Sequence, residues 1–178
     1  MLYLQTTQKA RDELGIGRQR LDTAGETASP LGNWMLNVVP VGGRWALLFM
    51  STRSFLSFPM MLGQHQPTLQ DIPSFMTHGL SLLMREIRAS NDHRDRLLQS
   101  FDEIFVCKAR DRSLLAVHSA IAADYFHRID RMGGMDRANM DEVVSHVNST
   151  PRALLGYKTS FEVSAELLRQ AGPEYPVK

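Results

Sequence analysis

The chain has 178 residues, 43% hydrophobic and 22% charged, with 20 basic side chains against 19 acidic ones and a formal charge of +1. That size and balance suit one globular domain, or one domain with a helical appendage, and provide no overall attraction to nucleic acid or membrane, so any basic surface has to be local. One cysteine, Cys107, rules out an internal disulfide and fits a reducing compartment; no apolar run reaches a membrane span and the N-terminus lacks a signal-peptide pattern, so a cytoplasmic protein is expected.

In chain order, residues 2–5 read as a short strand and 7–14 as a short helix stopped near Gly15 and Gly17. Residues 18–31 are polar and turn-rich, a loop. Three strands are then predicted at 34–39, 44–50 and 55–60, separated by Gly42-Gly43 and by Ser51-Thr52-Arg53, which is the pattern of an antiparallel meander. Alternation puts Trp34, Leu36 and Val38 on one face, Met35, Asn37 and Val39 on the other. The middle strand is apolar on both faces, so helices cover it on at least one side.

The second half is helical. Pro73 suits the first turn of a helix over 73–88, and a charged stretch at 91–96 leads into Leu97 and Leu98 as a further short helix. A strand at 103–108 precedes a helix over 112–132, with Asp111 as N-cap and Asp124 and Arg128 spaced for an i,i+4 pair. Gly133-Gly134 breaks that helix. Asn139 with Glu142, and Thr159 with Glu162, carry the capping-box spacing for two more helices, separated by Pro151. Residues 172–176, with two prolines, cannot extend the last one. The expected fold is α+β: a small, mostly antiparallel sheet with one face covered by the helices at 73–88 and 112–132. Residues 1–132 form this domain, and 133–178 form a helical extension packing on it and offering a surface for homo-oligomers.

Three segments carry a resemblance. Residues 2–9 (LYLQTTQK), 32–37 (GNWMLN) and 108–114 (KARDRSL) together resemble an uncharacterised bacterial domain, Domain of Unknown Function 6933, which also occurs joined to proteins of the plasmid ORF-3 type. The likeness covers roughly residues 1–130 and implies a bacterial protein, often borne on mobile elements, with no established reaction. The family pattern usually has Thr where this chain has Ala109. Residues 147–162 (VNSTPRALLGYKTSFE) are similar to the tail of transposases of the insertion-sequence-thirty kind, with Thr150 in place of an Arg and Ser160 in place of a Pro. No integrase-like core with three spaced carboxylates lies upstream, so transposase activity does not carry over. The same residues also serve simply to join two helices.

The strongest candidate site is Lys108, Arg110, Arg112 and Ser113, where an apolar strand meets the longest helix. Cationic side chains beside a helix start suit an anion, with Ser113 and first-turn N–H groups facing phosphate or carboxylate and Arg112 as a bidentate clamp. The plainer reading is a solvated loop whose arginines pair with Asp102, Glu103 or Asp111. His118 reads either as a hydrogen-bonded core residue or, with Ser113, as an acid–base pair; Asp124 and His127 read first as surface groups. Asn37 is a structural hydrogen-bond node or a pocket polar group, and Cys107 an inert buried thiol. Met60, Met61, Met76 and Met84 fill the core or line a groove for a partner helix. His65 stands alone in a loop, and no ligand set for a metal and no cofactor motif is found. The expected function is a non-catalytic binding or regulatory module of a bacterial mobile-element or plasmid-linked system, contacting nucleic acid or a protein partner through this basic junction. The second class is a small hydrolase or nuclease using His118 or His127 with Asp124 and nearby arginines.

Overall fold

The computed structural model describes residues 1–17, 21–63, 66–99, 101 and 103–172. His65, Asp102 and residues 173–176 lie outside them. Among the described residues five strands form one sheet: β1 (Leu2–Thr6), β2 (Trp34–Val41), β3 (Arg44–Ser51), β4 (Ser57–Met61) and β5 (Ile104–Lys108), in the order β4-β3-β2-β1-β5. Six α-helices accompany them: α1 (Gln8–Glu13), α2 (Ile72–Ile87), α3 (Asn91–Gln99), α4 (Arg112–Arg131), α5 (Met140–Asn148) and α6 (Ser160–Ala171). The fold is α+β. The meander β2–β3–β4 is antiparallel and carries most of the ladder, Trp34 facing Ser51 at one end and Val41 facing Arg44 at the other. β1 adds parallel pairings on both sides, Leu4 to Trp34 and Leu4 to Val106.

The period-2 alternation of β2 divides the interior in two. Trp34, Leu36 and Val38 join Leu47 and Phe49 of β3 in one core with Ala10 and Leu14 of α1, Met76, Leu80 and Leu83 of α2, and Leu168 of α6. Met35, Val39 and Val41 join Ala46 and Leu48 in a second core with Ile121, Tyr125 and Ile129 of α4 and Val143 and Val147 of α5. The helices expected on one face therefore lie on opposite faces. The reason is β3: its side chains are buried on both sides, and one layer of helices cannot cover them. Gly79 belongs to this packing, since a Cβ there would run into the Phe58 ring.

Local chemistry sets the helix ends. Asp111 accepts from the N–H groups of Ser113 and Leu114 and starts α4; Thr159 and Glu162 form a reciprocal capping box on α6. Asn139 accepts from Asp141 N–H, but Glu142 does not return the bond. It pairs instead with Arg128 at 3.1 Å, and Asp124 pairs with Arg152 at 3.1 Å. The expected Asp124–Arg128 pair is thus replaced by two bonds between elements, each holding the C-terminal segment to α4. The last predicted meander strand starts at Ser57, two residues late, because Phe55 takes a positive φ of 58° and ends the Ser51–Ser54 turn. No helix among the described residues is long and apolar enough to cross a membrane.

Candidate anion-binding junction

The site lies where the adjacent parallel strands β1 and β5 end. β1 runs into α1, which packs on the core of Trp34 and Phe49; β5 runs into α4, which packs on the core of Met35 and Leu48. Two parallel neighbours whose following helices leave to opposite faces open a crevice beyond their carboxyl ends, the usual place for a ligand in open sheets of this kind.

Thr6 organises that end of the sheet. Its hydroxyl donates to the Cys107 carbonyl at 3.0 Å, and its carbonyl accepts both the Ala109 N–H at 3.0 Å and Arg11 Nη1 at 2.6 Å. Asp22 from the preceding loop pairs with Cys107 in a parallel bridge, its N–H donating to the Val106 carbonyl. This brings residues 21–24 beside the outgoing strand. Lys108 and Arg110 are exposed and line one cleft of about 320 Å³ with Leu21, Asp22, Thr23 and Ala24. Among the described residues no ion pair involves Lys108, Arg110 or Arg112, including with Glu103 or Asp111.

The helix start does not contribute as expected. Asp111 Oδ1 accepts from Ser113 N–H at 2.8 Å and from Leu114 N–H at 3.1 Å, so these first-turn donors are spent on the chain's own cap. Arg112 and Ser113 are exposed on the first turn of α4 and do not line the cleft. Ala109, standing where the family pattern usually has Thr, turns its methyl into the core beneath α4.

The groups proposed for hydrolysis are not brought together. His118 is buried, with Nε2 3.0 Å from the Leu48 carbonyl, and burial lowers its pKa from the ordinary value. Asp124 faces Arg152 on another side of α4, and His127 is exposed with its ring edge-on to Phe126. Cys107 is a buried thiol donating to the Leu4 carbonyl at 3.6 Å, its pKa pushed up to about 11 by burial and then by Asp22. Asn37 is a hydrogen-bond node: its Oδ1 accepts from the Thr7 hydroxyl at 2.6 Å and from Val38 N–H at 2.8 Å. Among the described residues no group of three or more His, Cys, Asp or Glu is placed to hold a metal.

Sequence reasoning missed Thr6, Arg11 and Asp22. Thr6 and Arg11 sit in a polar run with no pattern of its own, and the approach of Asp22 to β5 follows from tertiary structure. No curated protein matches the chain, and no solved structure does. The junction nevertheless falls inside a recognisable unit: from β1 to the first turn of α6, residues 3–163 match the family model described as Domain of unknown function (DUF6933), and the chain belongs to that family.

Proposed function

We propose that the chain is a non-catalytic binding or regulatory module that contacts nucleic acid, or the acidic face of a protein partner, through Lys108, Arg110 and Arg112. The observation that carries this reading is that these three exposed cations follow one another at the end of β5 with no carboxylate paired to them among the described residues. Exposed charges left unpaired on a well-packed strand–helix junction are available to a partner at little desolvation cost. The crevice position beyond β1 and β5 supports the same reading. Its place in a bacterial mobile-element or plasmid-linked system is part of the proposal and is carried by the resemblance of the N-terminal 130 residues. The C-terminal helices α5 and α6 provide the surface for self-association in this scheme.

The test is a titration of fluorescently labelled duplex DNA, single-stranded RNA and polyglutamate with the full chain at low and moderate salt. Each phosphate contacted adds roughly 0.9 to the slope of log affinity against log salt, so three contacts give a slope near 3 that falls by about 2 in the Arg110→Ala/Arg112→Ala variant. Equal, salt-insensitive behaviour of the variant and the parent toward all three probes overturns the proposal.

A further inference from the structure

We infer that the buried Arg11 guanidinium, one backbone carbonyl away from the segment that carries Lys108 and Arg110, adds its positive charge to their cleft, and that a bound phosphoryl group supplies the negative charge it lacks. The inference rests on the reading of the junction as a binding site and names the chemistry that site takes.

Arg11 is 2% exposed. Charged side chains are almost never buried to this degree without a counter-charge, because removing a cation from water costs several kcal/mol that neutral partners only partly return. Every partner of Arg11 among the described residues is neutral. Nη1 donates to the Thr6 carbonyl at 2.6 Å and lies 3.3 Å from the Thr6 hydroxyl, and Nη2 donates to Gln8 Oε1 at 2.8 Å. Nε has no partner, and no carboxylate among the described residues pairs with the guanidinium. A fold that needed only a clamp for the end of β1 would be served by an uncharged amide.

The position of this charge gives it meaning. The Thr6 carbonyl that accepts from Arg11 also accepts from Ala109 N–H, so the guanidinium lies two hydrogen-bond lengths from the backbone between Lys108 and Arg110. Those side chains line the cleft with Asp22 and Thr23. Asp111 and Arg112, next along the chain, line no part of the cleft and add no net charge beside it. Arg11, Lys108 and Arg110 against Asp22 leave an excess of two positive charges, which suits a phosphate monoester dianion better than a carboxylate. Arg11 acts on that group through its field, while Lys108 and Arg110 make the direct contacts.

The experiment uses the full chain and compares inorganic phosphate with acetate by thermal shift and calorimetry, then a 5′-phosphorylated dinucleotide with the same dinucleotide lacking that phosphate. Phosphate is expected to raise the melting temperature where acetate does not, and the terminal phosphate to strengthen dinucleotide binding about tenfold. Stronger binding of the phosphorylated dinucleotide than of free phosphate identifies a nucleic-acid end as the source; the reverse identifies free phosphate. Arg11→Met should weaken phosphate binding about tenfold without lowering the melting temperature in phosphate-free buffer, and Arg11→Lys should retain most of the affinity. An Arg11→Met variant that is less stable without phosphate yet binds it as the parent does overturns the inference, making Arg11 a strand-end clamp. No phosphate-dependent shift in the parent overturns it whatever the variants do. Loss of phosphate binding in Lys108→Ala/Arg110→Ala with none in Arg11→Met rejects the inference and spares the junction; phosphate bound undiminished by both variants rejects the junction as well.

Discussion

The side-chain amide of Asn148 bonds both backbone groups of Ser57, its Oδ1 accepting from the N–H at 2.9 Å and its Nδ2 donating to the carbonyl at 2.8 Å. The same carbonyl accepts the Tyr125 hydroxyl at 2.9 Å. β4 is an edge strand, and at its first residue Asn148 does what a neighbouring strand would do. One residue at the end of α5 thereby fastens the C-terminal segment and α4 to the sheet.

Asn148→Ala leaves the Ser57 N–H without a partner among the described residues and should cost about 2–3 kcal/mol, the upper part of the desolvation range for one unpaired buried polar group. Tyr125→Phe keeps the amide pair and should cost about 1 kcal/mol. Urea unfolding monitored by circular dichroism measures both; equal losses for the two variants would refute the ranking.

His118 ties stability to pH. Its Nε2–H donates to the Leu48 carbonyl, and burial holds the pKa below the usual 6.5. The unfolded chain then takes up a proton that the folded chain refuses. Stability from the neutral ring is complete above about pH 6.5 and falls as pH drops below it, at up to about 1.4 kcal/mol per pH unit, until the folded pKa is reached. His118→Gln keeps a donor for Leu48 and removes the titration. Its urea midpoint between pH 7.5 and 5 should fall less than that of the parent chain.

Cys107 should resist alkylation. With its thiol buried and its pKa near 11, little thiolate exists at pH 8 and little reagent reaches it. Iodoacetamide at pH 8 is expected to leave the native chain unlabelled for hours and to label it fully in urea, as read by mass spectrometry. Rapid native labelling would mean that β5 opens readily.

Asp124 and Arg152 should couple. Arg152 is 13% exposed and Asp124 43%, and Arg152 also donates to the Val147 carbonyl at 3.3 Å. A double-mutant cycle with Asp124→Asn and Arg152→Met should return about 1 kcal/mol, above the usual surface pair because the guanidinium is mostly out of water. A coupling of zero would show that this ion pair adds nothing to holding the 147–158 segment against α4.

What the sequence could and could not convey follows from range. The two faces of β2, the Asp111 cap and the Thr159–Glu162 box were legible because each depends on neighbours within four residues. The partners of β1 were not, since parallel pairing with residues 34–36 and 104–108 leaves no turn signal between strands. The apolar stripes of α2 and α4 look alike in sequence, and nothing local says which face of the sheet each takes. Arg128 met its helical spacing partner on paper, yet Glu142 outcompetes it once α5 folds back. At the candidate site, Lys108 and Arg110 are visible in the sequence as a charge cluster, whereas nothing in the neighbouring residues marks Arg11. Its burial comes with the tertiary structure, where Nη1 bonds the Thr6 carbonyl at the end of β1.

Among the described residues β1 is the only strand joining β5 to the rest of the sheet, and the two are separated by about a hundred residues of intervening chain. During synthesis β1 therefore waits for a strand that is made about a hundred residues later. Until residue 108 has emerged, Leu2–Thr6 offers one open row of backbone donors and acceptors, and a translation pause in that interval is when a chaperone, or a stray neighbouring chain, finds it unoccupied.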